Sequence, residues 1–248
     1  MAGERLAVRY AGLALAAVGM WPASAWAQVQ TPTFKVGDHW VYQETNERAP
    51  SSFQQSTVDV VVTRVAEKYI EIASKQPEAP AAPVERMVPN DWSRERSVNG
   101  VMTTVNKPLN FPLSPGKRWE IKYTEANPAR LVHSQTIHES YTVAGWEDVQ
   151  TPAGVFHALK IECEGDWTKE TAPSQVAAGV IEKDATGAGG AVDSRNLPAQ
   201  TTAGKLYKAF WYAPEVKRFV KSSEEYFSTT GVRSSRTTSV LQSFSPAP

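Results

Sequence analysis

The chain has 248 residues, with 26 Lys+Arg against 26 Asp+Glu, 41% hydrophobic residues, 10% aromatics, 17 prolines and a single cysteine. This is a globular composition that excludes a disordered or fibrous chain, and its neutral balance lacks the basic footprint of a nucleic-acid binder. One cysteine excludes an intramolecular disulfide framework and any cysteine-cluster zinc or iron–sulfur site.

Residues 1–27 have the pattern of a secretory signal peptide, expected as a helix. Arg5 and Arg9 form a positive start, Ala11 to Met20 is an apolar run, and Ala25-Trp26-Ala27 is a small-x-small cleavage site. The run is too short to span a bilayer as a helix. Cleavage after Ala27 predicts a periplasmic or secreted chain starting at Gln28, without a transmembrane segment.

From residue 34 onward the apolar residues recur with period two. Val58, Val60 and Val62 share one face, and Tyr69 to Ile72 continues the alternation. Trp119, Ile121 and Tyr123 alternate with Glu120, Lys122 and Thr124. Val155 to Cys163, Leu206 to Tyr212 and Val216 to Phe227 complete the series. β-Branched and aromatic residues at this period predict strands. Short turns at Ala66-Glu67-Lys68 and Thr229-Thr230-Gly231 predict antiparallel hairpins.

Three stretches depart from the alternation. Lys75 to Val84 (KQPEAPAAPV) is a Pro/Ala loop, because proline cannot donate inside a sheet. Ser174 to Lys183 has helical spacing at Val176, Val180 and Ile181. It lies within Asp166 to Gly204, whose Ala, Gly, Ser and Pro content predicts a long flexible insertion, with a lid over a cavity as the alternative.

An internal echo links two strand entries. Phe34-x-x-Gly37-x-x-Trp40-x-Tyr42 resembles Pro115-Gly116-x-x-Trp119-x-Ile121-x-Tyr123. Two related β units side by side predict a single all-β domain over 28–248. Its expected form is an antiparallel curved sheet or barrel-like meander of roughly ten strands.

Reactive motifs are absent: there is no G-x-S-x-G, H-E-x-x-H, C-x-x-C or P-loop. His133 and His138 stand at odd spacing on one strand and so face opposite ways. Cys163 alternates with Lys160 and Glu162 and reads as a small buried hydrophobe. The pairs Glu162/Glu164 and Glu224/Glu225 fit solvent-facing strand positions. Lys205, Lys208, Lys217, Arg218 and Lys221 read as a solvated or edge-protecting basic face, with contact to anionic lipid headgroups or glycans as the alternative. No metal ligand set, cofactor or catalytic residue emerges.

Aromatics are the suggestive feature. Trp40, Trp119, Trp146 and Trp211 would either fill a β core or line a cavity. His157, among Val155, Leu159 and Ile161, would be a satisfied core histidine or a polar group inside that cavity.

Three motifs carry a likeness to a known group. Val36-Gly37-Asp38-x-Trp40-x-Tyr42, Thr151-Pro152-Ala153-Gly154-x-Phe156-x-Ala158-x-Lys160-Ile161 and Trp211-Tyr212-Ala213-Pro214-x-Val216-Lys217-Arg218 resemble the exported bacterial β-proteins of the domain of unknown function numbered 3108 and their TapB-like relatives. Glu215 and Lys217 stand where relatives often carry glycine. The resemblance implies an envelope-located, antiparallel, barrel-like domain without an established activity, and brings no catalytic residues.

Taken together, these features predict a non-catalytic binding or carrier module for an apolar or amphipathic envelope molecule, such as a lipid or glycan. Its ligand face would draw on Trp40, Trp119, Trp146, His157 and Trp211. A structural protein that pairs a strand edge with another envelope protein is the alternative, and a hydrolase with an unrecognised site ranks below both.

Overall fold

The computed structural model describes residues 28–180 and 191–248; the expected signal segment, helix and cleavage site fall outside the described residues. The described residues form strands and connections without a helix. In chain order these are β1 (His39–Arg48), β2 (Ser52–Val65), β3 (Tyr69–Lys75), β4 (Val84–Pro89), β5 (Arg94–Val98), β6 (Val101–Asn106), β7 (Arg118–Ala129), β8 (Val132–Thr151), β9 (Gly154–Thr171), β10 (Ser174–Val180), β11 (Ala191–Leu197), β12 (Gln200–Ala213), β13 (Arg218–Ser228) and β14 (Arg233–Ser245).

Ten strands make one antiparallel sheet in the order β4-β3-β2-β1-β14-β13-β12-β9-β8-β7, so the sheet is open, with β4 and β7 at its edges. The barrel expected from the strand count is therefore not closed. The sheet is nevertheless curled, because β8 touches β13 and β14, three and four places away. A flat sheet would hold those strands about 14 and 19 Å apart. Register shifts at Val41/Tyr42, Val143/Gly145 and Trp211/Tyr212 bend the strands locally, as bulges do.

The expected hairpin turns at 66–68 and 229–231 are present, and the Pro/Ala stretch joins β3 to β4. Two expectations are corrected between 166 and 204. Asp166–Thr171 continues β9 and Gln200–Gly204 begins β12, with the two paired throughout. The helix suggested by Val176 and Val180 is a strand instead. Ser174–Val180 pairs antiparallel with Ala191–Leu197, and this cross-strand pairing overrides the weak helical spacing; Ile181 to Lys183 fall outside the described residues. Gly204 has a packing role rather than a linker's. It sits opposite Trp167, and a Cβ there would come within 2.7 Å of the indole.

The echo between the two strand entries extends to the backbone. Gly37 N–H donates to Val62 O (2.9 Å) and Val62 N–H donates to Asp38 O (3.0 Å). Gly116 N–H donates to Val143 O (2.8 Å) and Val143 N–H donates to Lys117 O (2.9 Å). Both glycines have positive φ, +95° and +83°, which a side chain would resist. Both following tryptophans donate their indole N–H to a distant carbonyl, Trp40 to Val216 and Trp119 to Lys107, each at 2.8 Å.

Because β4 and β7 are opposite edges, the connection between them must cross the sheet. It does so through residues 90–117, which include the β5–β6 hairpin. Trp92 packs against both hydrophobic clusters, and Leu109 and Leu113 are buried in the second. The hairpin then fastens to the β7 edge. Arg96 makes a bidentate pair with Glu125 (2.5 Å), while the Asn99 amide donates to Thr124 O and its Oδ1 accepts from Ala126 N–H. These contacts occupy backbone groups that would otherwise be free for edge pairing.

Candidate functional site

The first and third sequence motifs meet at the middle of the sheet. Asp38 is fully buried at the entry to β1, and its Oδ2 accepts from Lys217 Nζ (2.7 Å) and Lys35 N–H (2.8 Å). Its Oδ1 accepts from Ala247 N–H (3.0 Å). Burial alone would push this carboxyl up, but Lys217 and the two backbone donors outweigh burial and hold it below the usual aspartate range. Trp40 binds Val216 O, the Tyr42 hydroxyl donates to Phe219 O (2.6 Å), and Trp92 Nε1 donates to Lys217 O (3.0 Å). Three aromatic side chains thus hold the β12–β13 turn by its carbonyls. The second motif joins the same cluster through Ala153, Phe156 and Ala158.

This clasp fixes Arg218. Its guanidinium lies over the rings of Trp92, Tyr42 and Trp40, at 4.2, 4.8 and 5.9 Å from their centroids. Among the described residues no carboxylate approaches within salt-bridge distance of Arg218, and its Nη1 is buried without a hydrogen-bond partner.

Arg218 lines the inner wall of a cleft of about 360 Å³, near the lower end of the ~300–1,000 Å³ usual for small-molecule sites. Trp40, Tyr42 and Glu44 alternate on one side of β1, opposite Val60, Val58 and Ser56 of β2. Val58, Val60 and Ile72 supply the apolar floor, and Ser74, Val84 and Arg86 continue the lining toward the β4 edge. The Pro/Ala loop contributes Ala79, Ala81 and Ala82 to the rim. Burial raises the Glu44 carboxyl above the ordinary glutamate range, and Arg218 and Arg86 offset part of that rise. The cleft therefore has an aliphatic floor and cations at its inner wall (Arg218) and toward the β4 edge (Arg86), both acting on a single carboxylate that burial disfavours in its charged form.

The five aromatic and histidine positions expected to share a ligand face do not come together. Trp40 is buried in the first cluster. Trp119 is partly buried against the second, stacked on Tyr141 at 5.2 Å. Trp146 stacks on His157 at 5.0 Å, and His157 Nδ1 lies 2.8 Å from Asp148 Oδ1. His157 is neither a core histidine nor a cavity group, since 66% of its side chain is exposed. The strand runs past its covering layer there, so Leu159 and Ile161 are buried while Val155 and His157 are not. Trp211 donates to Glu147 and is flanked by Lys221 and Lys160, at 4.8 and 5.6 Å from its centroid.

The basic face also requires correction. Lys208 is buried (2% of its side chain exposed), with its Nζ 2.7 Å from Glu139 Oε1 and 3.7 Å from Glu224 Oε2. The Tyr141 hydroxyl is 2.5 Å from the other Glu139 oxygen and 3.0 Å from Asn106 Oδ1. Burial would lower the Lys208 amine, but Glu224 and Glu139 outweigh it and keep the lysine charged. Cys163, the strand partner of Lys208, is buried as expected, and desolvation raises its thiol to about 12. Among the described residues no group of three or more His, Cys, Asp or Glu is placed to hold a metal ion, and no helix is long and apolar enough to cross a membrane.

Sequence reasoning did not single out Glu44 or Arg86 and left Arg218 in a solvated cluster. A signal was present for two of them. Glu44 stands in phase with Trp40 and Tyr42, and Arg218 closes the third motif. Arg86 joins the site through strand pairing with Ile72, which the sequence does not display.

No family model matches the chain and no curated protein matches it in sequence, so the three motifs remain a resemblance. Among solved structures the chain is similar to a protein from Bacteroides fragilis described as exported and of YmcC-like fold. That match has 15% identity and a TM-score of 0.42, and covers 88% of this chain and 100% of the other. It is also similar to a protein from Parabacteroides distasonis described as a lipoprotein, at 14% identity and a TM-score of 0.44, with the same coverage. The hypothetical lipoprotein YmcC from Escherichia coli matches at 14% identity and a TM-score of 0.30, covering 84% and 85%. At these scores the likenesses say nothing of function, and the fold described here stands on its own strand pairing.

Proposed function

We propose that the protein is a non-catalytic binding module of the bacterial envelope that holds a small amphipathic molecule in the cleft between β1–β4 and the β12–β13 turn. One observation carries this reading. A guanidinium with a buried, unpartnered nitrogen lines the wall of a cleft with an aliphatic floor, held there by three aromatic rings. Convergence of a few fixed polar groups on an apolar concavity is the usual form of a small-molecule site. Residues 1–27 support the address by their signal-peptide pattern.

The test is native mass spectrometry of the chain purified from periplasm, followed by solvent extraction. A one-to-one adduct released as a lipid-like molecule is the expected result. A clean apo mass, repeated after incubation with envelope lipid extract, would count against a carrier. A second reading has its own observation: the short β4 edge exposes Val84 and Met87. An envelope protein that adds a strand there would be captured by photo-crosslinking from Met87.

A further inference from the structure

The charge and size of the cleft select among amphipathic ligands. Two guanidiniums, Arg218 and Arg86, line it together with Lys75, against the one carboxylate of Glu44. The aromatic rings nearby are not open platforms for a sugar, because Arg218 already lies over Trp40, Tyr42 and Trp92. The floor is a short aliphatic strip formed by neighbouring strands, with Val60 opposite Ser74 and Ile72 opposite Arg86. At about 360 Å³ the space lies near the lower end of the ~300–1,000 Å³ usual for small-molecule sites. That is enough for one short chain and a head, and too small for a two-chain lipid inserted whole.

Other clusters in the molecule lack this openness. The Lys208 network is satisfied internally by Glu139, Glu224 and Tyr141. The half-buried Trp146 and Trp211 rings are covered by His157, Lys160 and Lys221.

We propose that the ligand of this cleft is a single-chain amphiphile with one anionic head, a carboxylate or phosphate. The Arg218 and Arg86 guanidiniums hold the head, and the chain lies along Val58, Val60 and Ile72. This proposal rests on the cleft reading given above. Guanidinium suits the task because its planar fork binds such oxyanions through two donors at once. Glu44 is the built-in competitor of the head group, sharing the field of the same two arginines. Its other charged or titratable neighbours are Tyr42 on its own strand and Lys75 on β3.

Titration calorimetry with octyl phosphate, 1-octanol and inorganic phosphate tests the proposal. Octyl phosphate is expected to bind one-to-one, at least ~10-fold tighter than either half alone, because head and chain contribute together. Arg86→Gln, on the exposed edge strand, should weaken octyl phosphate ~5-fold while leaving octanol unchanged. Glu44→Gln should tighten octyl phosphate, and wild-type binding of octyl sulfate, whose head keeps one charge throughout, should tighten as pH falls and Glu44 becomes neutral. Arg218→Gln should abolish selectivity for the phosphate head; if that variant fails to fold, Arg86→Gln and Glu44→Gln carry the test alone. Equal affinity for octanol and octyl phosphate, or no response to Arg86→Gln, would overturn the anionic head while leaving the cleft in place. Ser74→Trp, which fills the cleft, distinguishes the other failure: octyl phosphate binding that survives it, or no binding of either amphiphile to wild type, overturns the cleft reading itself.

Discussion

The entries to β1 and β7 share a backbone and a tryptophan and differ in what surrounds them. Both turn on a glycine of positive φ, both clamp a buried valine through the same two hydrogen bonds, and both send a tryptophan N–H to a distant carbonyl. At β1 the residue after the glycine is Asp38, buried and bound to Lys217; at β7 it is Lys117, partly exposed and donating to Pro112 O (2.8 Å) and Asn110 O. Beyond β1 the buried tryptophan packs under Arg218, which in turn lines the open cleft, whereas beyond β7 it stacks on Tyr141 under the crossing segment. One backbone module thus supports a site in one place and a closed core in the other. What distinguishes them is the side chains that meet the tryptophan: Trp92 and Arg218 at Trp40, Tyr141 at Trp119.

The strongest way to break the comparison is at the tryptophans. Trp40→Ala should cost about 4 kcal/mol, the range for a fully buried large side chain. Trp119→Ala, partly exposed, should cost about half as much on the same scale. Urea unfolding of both variants measures the ratio, and equal losses would mean that the fuller burial of Trp40 adds nothing over the half-buried Trp119. Next comes the residue after the glycine. Asp38→Ala should cost about 3 kcal/mol, because it leaves Lys217 and two backbone donors without their acceptor. Lys117→Ala should cost about 1 kcal/mol or less, the scale of a hydrogen bond near solvent.

The same contrast has a pH signature. The native Asp38 carboxyl titrates below its unfolded value, so its stabilisation is present above the ordinary aspartate range and is lost as pH falls through the lowered native value. Thermal melts from neutral to strongly acidic pH should therefore show a steeper acid loss in wild type than in Asp38→Asn. Smaller and equal effects are expected at the glycines themselves. Gly37→Ala and Gly116→Ala should each cost about 1–2 kcal/mol, from forcing a Cβ into positive φ. Neither site has a serious steric obstacle, so a marked inequality would show that the two turns are less alike than their hydrogen bonds indicate.

Much of this was readable from residue order. Period-two alternation located the long strands, and the spacing of Gly37-x-x-Trp40 and Gly116-x-x-Trp119 revealed the repeated entry before its hydrogen bonds were known. Lys208 shows where such reading stops. It alternates with Leu206 and Phe210, which hints at burial, but the acid that makes burial tolerable is Glu139, two strands away through β9. His157 fails for the opposite reason: its alternation is correct, yet whether a strand end is covered depends on where another segment crosses. The cleft depends on both kinds of information, because Arg218, Glu44 and Arg86 converge only once β14 has brought the β13 turn beside β1 and β4 has paired with β3.

The junction of β1 with β14 has a consequence for the order of assembly. Strand β1 finds its second neighbour only in residues 233–245, with their partners at 39–48. Until β14 pairs on both sides, the β1–β4 meander and the β7–β13 meander are two separate hydrogen-bonded sheets. Such remote pairing is slow to form. Removing β14 would therefore leave two incomplete sheets with new raw edges, rather than a slightly smaller version of one.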